Sequence, residues 1–516
     1  MPVASIPARP ANFDGFVHAS GRRLVDGHGT ELLLRGVGIG NWMLPEGYMW
    51  KFGPGAESPR EIERLITDLV GSNAAEQFWR DFREAFFNEA DITAIAENGF
   101  DHIRLPINSR AVMDEAGQLI EAGFLLIDQV IKWCRDHRLW VLLDLHGAPG
   151  GQTGTNIDDS PNNRPELFMD EGYREQTLDL WRAIASRYAT ETVVLGYDLL
   201  NEPIPNEWQY TYGKELAELY IDLTRVIRDV DSDHLIVYEG SHWATNWDIF
   251  TDVWDKNSML QFHKYWSSPD LPSIQKFLDA RDRLGLPIYM GEGGENNLGW
   301  LYAAFRLYES QNIGWNFWPW KKVDTRTSPA SIEAPDGWEL VRDRAHGGTG
   351  VPSDLAARIL AELLRNMRLE NCHWQQEIVN ALLGFEPAVM PAWAFGYRAD
   401  GYQVASGRPL ESIRANDPVS IEYLEPRAQE VNVFEHTDGR EAPPAETLVV
   451  RVQAGDWLHF DAEADSAEYV SLSPDGTLSP FTLTSTPTGI RATAQKDALL
   501  WRLVRHVRVP TDPLNS

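Results

Sequence analysis

The apolar positions between residues 31 and 370 fall into short continuous runs, which are separated by longer segments of helical period. The runs that have the length and composition of strands are LLLRGVGIG (32–40), HIRLPI (102–107), WVLLDLH (140–146), VLGYDLL (194–200), HLIVYEG (234–240), MLQFHKY (259–265), PIYMGE (287–292) and IGWNFWPW (313–320). Because they are apolar throughout rather than alternating, they are typical of parallel strands covered by helices.

The segments between these runs space their apolar residues as amphipathic helices do, for example FLLIDQVIKWCRDH and GKELAELYIDLTRVIRDV. Eight strand–helix units in about 340 residues predict an α/β fold, a (β/α)8 barrel with long loops. A doubly wound open sheet is the alternative. It does not account for the polar residues that end nearly every strand, and no glycine-rich dinucleotide fingerprint follows the first strand.

The pattern changes after about residue 385, where proline, glycine and aspartate separate short β-like runs. These runs are IEYLEP, EVNVFEH, TLVVRVQ, WLHFDA, YVSLS and ALLWRLVRHVRV. They predict a small antiparallel β-sandwich. We therefore expect a barrel domain over 1–380, with a β-hairpin-like N-terminal segment, and a β-sandwich over 381–516. We expect the second domain to be structural, with a carbohydrate-binding module as the alternative, because it contains few histidines or paired carboxylates.

Composition narrows the class of partner. The net charge of −30 argues against nucleic acid and against an anionic membrane surface, because both would be repelled. No run of about 18 apolar residues predicts a transmembrane span. The N-terminal residues MPVASIPARP contain no apolar signal-peptide core, and Cys134 and Cys372 stand outside any CxxC pair. Both features favour a cytoplasmic location.

Polar and aromatic side chains stand at the carboxyl ends of the predicted strands, where the mouth of such a barrel lies. In chain order they are Glu46, Arg104, His146, Asn201, Glu202, His263, Tyr265, Glu292 and Trp318. Their common position predicts a single site. The chain also has 20 tryptophans, many of them near strand ends. Flat apolar rings beside hydrogen-bonding groups suit a sugar ligand, whose C–H faces stack on aromatic rings.

Two of these residues, Glu202 and Glu292, are carboxylates on the fourth and seventh strands. Retaining cleavage of a glycosidic bond requires such a pair, with one protonated acid and one ionised nucleophile about 5–5.5 Å apart. We assign the acid/base role to Glu202 and the nucleophile role to Glu292. Their surroundings must then shift the two pKa values in opposite directions. An Arg104 side chain that reaches Glu292 would keep that carboxylate ionised.

The neighbouring polar residues are expected to orient the pair. Tyr265 is placed to donate a hydrogen bond to Glu292, and His263 is placed beside Glu202. The alternative for Tyr265, His263 and His146 is that each is a polar core residue whose hydrogen bonds are made within the core.

Two further residues are expected to contact the sugar itself. Asn201 is assigned to the sugar 2-hydroxyl, an interaction that strengthens in the transition state. Trp318 is assigned to the floor beneath the sugar ring. Its neighbours Trp315 and Trp320 remain alternatives for that platform.

Four segments resemble glycoside hydrolase family 5 of clan A: FDHIRLP, GYDLLNEP, QFHKYW and PIYMGEGG. The resemblance covers about residues 30–325. Each short motif is weakly specific, but the set occurs in the right order on the right strands. By this resemblance, the family's active-site residues correspond to Arg104, His146, Asn201, Glu202, His263, Tyr265, Glu292 and Trp318.

Two more segments are similar to the exo-β-1,3-glucanase branch. RGVGIGNWMLPE resembles the strand-1 segment of that branch, whose glutamate, here Glu46, holds the terminal glucosyl unit, and DLHGAPGGQTG resembles its strand-3 loop. Thr155 and Asn156 stand where that branch has an aromatic clamp, and the insert NIDDSPNNRPELF also departs from it. The resemblance implies an exo pocket for a β-glucoside, a β-mannoside or a short oligosaccharide, and the departures leave a β-1,3-glucan substrate open.

We therefore expect hydrolysis of a terminal β-linked sugar by double displacement, without a cofactor. No metal is expected, because His146 and His263 lack the spacing of a zinc motif. Glu295, Asp158 and Asp159 are interpreted as solvated loop acids.

Three other functions are alternatives to this one. Transglycosylation uses the same residues and stays open. Glycolipid-cleaving relatives that resemble family 5 carry a C-terminal β-sandwich, although no apolar stretch here favours docking on a membrane. A non-catalytic sugar-binding barrel would be expected to lose one of its two glutamates, and both are present. The oligomeric state is not predicted.

Overall fold

The computed structural model describes residues 11–205, 207–396, 401–405, 407, 410, 413–425, 433–472 and 479–505. Eight parallel strands close into a barrel in sequence order, and the eighth pairs with the first. The barrel strands are β1 (Arg35–Gly38), β2 (His102–Asn108), β3 (Trp140–Gly147), β4 (Val194–Asp198), β5 (Leu235–Glu239), β6 (Ser258–His263), β7 (Ile288–Gly294) and β8 (Gly314–Trp318). Each overlaps one of the predicted runs, so the (β/α)8 barrel is confirmed.

Helices surround the barrel and return the chain from the end of one strand to the start of the next. The α-helices span Pro59–Val70, Ser72–Phe86, Glu89–Glu97, Ser109–Val112, Glu121–His137, Glu171–Tyr188, Gly213–Arg228, Leu271–Leu284, Leu298–Ser310, Trp338–Ala345, Ser353–Asn366 and Gln376–Leu383. Short 3-10 helices span Gly47–Trp50, Asn156–Asp158, Glu166–Phe168, Leu369–Asn371, Ala392–Ala394 and Pro444–Glu446. Within the described part of the chain, no helix has the length and apolar character needed to cross a membrane.

The N-terminal segment lies at the end of the barrel opposite the predicted site. Its three short antiparallel strands are His18–Ser20, Arg23–Val25 and Glu31–Leu32. Their apolar residues form a core with side chains near the start of several barrel strands, including Trp140 and Leu195. This end of the barrel is therefore covered, and the carboxyl ends of the strands remain for a site.

The C-terminal part forms two antiparallel sheets of five and four strands. The first contains Val389–Pro391, Ser420–Tyr423, Leu448–Val452, Ser466–Ser471 and Ala498–Val504. The second contains Tyr402–Gln403, Trp457–Phe460, Phe481–Thr486 and Gly489–Ala494. The predicted fold class, a barrel followed by antiparallel β-structure, is confirmed. The start of the predicted run EVNVFEH, residues 430–432, and the end of ALLWRLVRHVRV lie outside the described residues.

The two parts are joined by direct packing. Helix Leu298–Ser310 follows β7 and is buried at every position from Trp300 to Glu309. Arg306 of this helix donates a hydrogen bond to the carbonyl of Leu382. The predicted boundary between residues 380 and 381 falls inside helix Gln376–Leu383, and the division into two domains stays a prediction.

One small sheet extends the barrel mouth beyond β8. Its strands are Lys321–Val323, Ala330–Ile332 and His373–Trp374. Lys321 and Lys322 begin the first of these strands, and both are buried.

Candidate active site

The structure places all nine strand-end residues at the carboxyl end of the barrel. Five lie within barrel strands: Arg104, His146, His263, Glu292 and Trp318. Asn201 and Glu202 lie three and four residues beyond β4, Tyr265 lies two residues beyond β6, and Glu46 directly precedes the 3-10 helix Gly47–Trp50. The register of a closed parallel barrel brings these ends together around one opening.

Arg104 is the central cation of the site and is completely buried. Its Nη1 donates to Glu292 Oε2 at 2.9 Å, and its Nε donates to Asp198 Oδ2 at 2.8 Å. Its Nη2 donates to Asn201 Oδ1 at 2.8 Å and to Glu239 Oε1 at 3.0 Å. Burial acts to lower the pKa of Arg104, but the surrounding carboxylates raise it well above its usual value. The guanidinium is therefore a fixed positive charge under the site.

Both carboxylate oxygens of Glu292 accept hydrogen bonds. Tyr265 Oη donates to Oε1 at 2.8 Å, and Arg104 donates to Oε2. Burial raises the pKa of Glu292 to about 7, His263 and Arg104 oppose this shift, and the charge of Glu202 adds to it. Tyr265 and Arg104 thus favour the ionised form of a carboxyl group that burial alone would keep protonated.

Glu202 differs from Glu292 in its partners. Its backbone N–H donates to Glu239 Oε2 at 2.7 Å, while its φ of 43° lies in the left-handed region. Its Oε1 lies 2.7 Å from His263 Nδ1. One carboxylate oxygen of Glu202 and one of Glu292 are within 4.8 Å of each other, and a ring nitrogen of His263 is within the same distance of both.

This trio has the spacing of a metal site, so its charge state matters. Burial acts to lower the pKa of His263, but Glu239, Glu292 and Glu202 raise it well above its usual value. His263 Nδ1 and Glu202 Oε1 lie within hydrogen-bond distance, so the three residues form a hydrogen-bonded cluster.

Trp318 lies flat against His146, with ring centroids 5.3 Å apart and planes inclined by 8°. Its Nε1 donates to Tyr48 Oη at 2.9 Å. Glycines of the first strand region make room for the indole, since a Cβ at Gly38 would lie 2.5 Å from Trp318 Cε3. Burial lowers the pKa of His146 to about 4, with Arg104 adding to the effect, so this imidazole is neutral.

The two alternative platform residues, Trp315 and Trp320, form hydrogen bonds with other parts of the structure. Trp315 donates from Nε1 to Glu309 Oε1 at 3.1 Å, and Trp320 donates to Asp91 Oδ1 at 2.8 Å. Both indoles are buried against the helices. Among these three tryptophans, only Trp318 packs on a predicted site residue.

Glu46 is buried beside the carboxylate pair. It is 3% exposed, and within the described residues its Oε1 has no hydrogen-bond partner. Burial raises the pKa of Glu46 well above its usual value, and the charges of Glu292, Glu295 and Glu202 act in the same direction. A buried acceptor without a partner needs a donor, and a ligand hydroxyl could supply one.

Sequence reasoning missed the layer of polar groups beneath the site. These buried residues are Asp144, Asp198, Glu239 and Gln261. Glu239 binds both Arg104 and the backbone of Glu202, while Asp144 holds His146 Nδ1 at 2.7 Å. The sequence did contain a signal for the three acids, because each interrupts an apolar strand at or near its carboxyl end.

The interpretation of three loop acids as solvated is wrong. Asp158 is buried, and its carboxylate accepts hydrogen bonds from backbone N–H groups of its own loop. Asp159 binds Arg110, and Glu295 forms an ion pair with Lys322. The long loops fold back on the barrel, and their carboxylates satisfy donors that would otherwise be buried without partners.

The chain is similar in sequence to known proteins. A family model described as cellulase (glycosyl hydrolase family 5) matches residues 67–324. The chain is 28% identical over 347 residues to a β-xylosidase of Phanerodontia chrysosporium, across 60% of this chain and 71% of that protein. It is 30% identical over 248 residues to a probable glucan 1,3-β-glucosidase A of Neosartorya fischeri, across 46% of this chain and 58% of that protein.

Among solved structures, an endogalactoceramidase aligns over 95% of this chain and 100% of its own, with 16% identity and a TM-score of 0.48. The family model spans half of the chain and includes the strands that carry both glutamates. The protein is a glycoside hydrolase, and the chain belongs to glycosyl hydrolase family 5.

Proposed function

We propose that the protein is a retaining β-glycosidase that removes a terminal β-linked sugar from a glycoside or a short oligosaccharide. The observation that carries this proposal is the separation of the carboxylates: oxygens of Glu202 and Glu292 come within 4.8 Å of each other. Retaining enzymes hold their two carboxyl groups about 5–5.5 Å apart, whereas inverting enzymes need about 6.5–9.5 Å to admit a water molecule. The short separation supports the retaining mechanism.

In the first step, an ionised oxygen of Glu292 attacks the anomeric carbon and forms an ester. The bond between that carbon and the leaving oxygen breaks, and Glu202 gives its proton to the leaving oxygen. In the second step, Glu202 takes a proton from water, whose oxygen attacks the same carbon. The ester bond breaks, Glu292 is released, and the sugar leaves with its original β configuration.

The surrounding groups supply what these steps require. Arg104 and Tyr265 bind the two oxygens of Glu292 and fix the attacking carboxylate in place. His263 Nδ1 lies 2.7 Å from Glu202 Oε1, and Arg104 binds Asn201 as well as Glu292. Donors that are already oriented stabilise developing charge without reorganisation during the reaction.

The substrate class follows from the relatives and from the wall of the site. The named relatives act on β-linked xylosides and glucans, which supports a β-linked substrate here. Glu46 lies buried beside the pair, and its Oε1 has no hydrogen-bond partner among the described residues, which suits a hydroxyl group of a terminal sugar. The net charge of −30 favours a neutral glycan over an acidic one.

The test combines a substrate panel with stereochemistry. Purified protein is incubated with 4-nitrophenyl β-glucoside, β-mannoside and β-xyloside, with β-linked oligosaccharides and with a glycolipid. The anomer released first is read by proton NMR. We expect one monosaccharide from chain ends, with the β-anomer appearing first. Initial release of the α-anomer would refute retention. Cleavage of the glycolipid alone would replace the substrate proposal, and no cleavage at all would refute the function.

A further inference from the structure

An ion pair outside the catalytic trio lies on the same rim of the barrel. It joins Glu295, three residues beyond Glu292, to Lys322, four residues beyond Trp318. The Lys322 side chain is 6% exposed, and that of Glu295 is 13% exposed, equal to the exposed fraction of Glu202. An acid as accessible as Glu202 can be reached from the same opening.

The contacts of the pair place it against the floor of the site. Lys322 Nζ lies 5.5 Å from the centre of the Tyr48 ring, and Tyr48 in turn accepts a hydrogen bond from Trp318. The charge of Glu295 also acts on its neighbours, since it helps to raise the pKa values of Glu46 and Tyr265. The pair therefore lies beside the site, on the side of β7, β8 and β1.

The loop that carries Glu295 is held in an uncommon conformation. Glu295 has a φ of 48°, in the left-handed region that few residues other than glycine adopt. The next residue, Asn296, is fully buried, and its Nδ2 donates to the carbonyl of Phe434 at 2.5 Å. Trp266 donates to the carbonyl of Glu295 at 3.3 Å. Contacts from the C-terminal region and from the β6 loop thus fix the direction of this carboxylate.

Lys321, the residue before Lys322, has the contacts of a purely structural lysine. Lys321 binds Asp91 and also donates to the carbonyls of Phe86 and Met367, which uses all three of its N–H groups. Within the described part of the chain, Lys322 donates only to Glu295. Its ammonium group keeps donors for a ligand directly beside a carboxylate acceptor.

We propose that Glu295 and Lys322 together bind hydroxyl groups on the edge of the sugar remote from the bond that is cleaved. The inference rests on the proposed function. A hydroxyl group both donates and accepts, so it can give its proton to the carboxylate and accept from the ammonium. Adjacent hydroxyls of a neutral sugar match the pair, whereas Glu46, Glu292 and Glu295 disfavour an acidic sugar.

The experiment pairs a change in the protein with a change in the substrate. The variants are Glu295→Gln and Lys322→Met, with Lys51→Met as control. Lys51 is a half-buried lysine near this rim without a hydrogen bond to Glu295. The substrate is the faster of 4-nitrophenyl β-glucoside and β-mannoside, together with its 3-, 4- and 6-deoxy analogues.

We expect each variant to lower kcat/KM on the parent substrate about 10- to 100-fold, as for a lost charged hydrogen bond. On the analogue that lacks the bound hydroxyl, native protein and variants should differ by less than about threefold, because the interaction is already absent. Lys51→Met should match the native protein throughout.

A merely structural ion pair would give a different pattern. The inference would be overturned if the kcat/KM of the variants fell by the same factor on the parent substrate and on every deoxy analogue. It would also be overturned if their kcat/KM did not fall at all. Thermal unfolding checks that each variant folds; if Lys322→Met does not, the nearly isosteric Glu295→Gln carries the test. If the native protein cleaves no glycoside, the proposed function itself fails and the inference falls with it.

Discussion

Glu202 and Glu292, the two proposed catalytic residues, differ in the groups that contact their carboxylate oxygens. Glu292 is bound by the fixed charge of Arg104 and by the hydroxyl of Tyr265. Glu202 is bound by His263 and is more exposed, at 13% against 7% for Glu292. The donors to Glu292 stabilise its charge, which suits an attacking carboxylate, and the more exposed Glu202 is left for the acid/base role.

This assignment predicts a selective defect in Glu202→Ala. Loss of the general acid should lower the cleavage of substrates with poor leaving groups about 10²- to 10⁴-fold. Activated aryl glycosides should still form the glycosyl-enzyme, and azide should restore turnover because it needs no general base. The control is Glu207→Ala, an exposed glutamate on the same loop. An equal loss on both kinds of substrate, with no azide effect, would remove Glu202 from this role.

The raised pKa of Glu292 predicts the acidic limb of the pH profile. Burial and the charge of Glu202 raise the pKa of Glu292 to about 7, against His263 and Arg104. Glu292 attacks as the ionised carboxylate, which is lost as the pH falls through about 7. We expect kcat/KM for an oligosaccharide to rise as the pH rises through about 7. A rate that is already constant well below neutral pH would contradict this expectation.

Sequence analysis identified the residues that end apolar strands, because a polar side chain in such a position is conspicuous. It missed Glu239 and Asp198, whose role depends on contacts with Arg104 across the barrel. It also misjudged Glu295, since a single sequence does not show that a loop folds back onto Lys322. A local sequence pattern does not show which side chains from distant segments come into contact.

At the scale of elements, helix Leu298–Ser310 explains how the two parts of the chain stay together. The sequence LGWLYAAFRLYES has no broad polar face, and the helix is buried from Trp300 to Glu309. An ordinary barrel helix exposes one side to water, whereas this one packs on the barrel and on the C-terminal region. The strand pattern could be predicted because parallel strands are apolar throughout, but the partner of this helix could not.

The charge cluster on this helix predicts a stability effect. Glu309 accepts hydrogen bonds from Arg35, Arg306 and Trp315, all of them buried. Glu309→Gln removes the carboxylate that forms ion pairs with the buried guanidinium groups of Arg35 and Arg306. We expect the free energy of unfolding to fall by about 3–5 kcal/mol in a urea titration. The exposed Glu218→Gln serves as control, with an effect of about 0–1 kcal/mol, and equal values for the two variants would contradict the account.

At the scale of the whole molecule, loops of the C-terminal region contact loops at the carboxyl end of the barrel. Asn296, on the loop after β7, binds the carbonyl of Phe434. Asp270, on the loop after β6, accepts from the backbone N–H of Arg414 at 2.6 Å. These loops follow Glu292 and Tyr265, so the C-terminal region supports the catalytic geometry as well as covering the barrel.

These two contacts predict the effect of removing the C-terminal region. A chain that ends after Leu383 would expose the outer face of helix Leu298–Ser310 and release both loops. We expect it to lose cooperative thermal unfolding and activity together, because exposed apolar surface favours aggregation. A soluble truncated protein with native kcat/KM would show that the two domains are independent.

The central claim is that Glu292 forms a covalent bond to the sugar. The most direct test is incubation with the 2-deoxy-2-fluoro glycosyl fluoride of the preferred sugar, followed by mass spectrometry of the intact protein and its peptides. We expect the mass of one fluorosugar on the peptide that contains Glu292, and no addition to Glu292→Gln. A label on another residue, or turnover with no covalent adduct, would contradict the double displacement at Glu292.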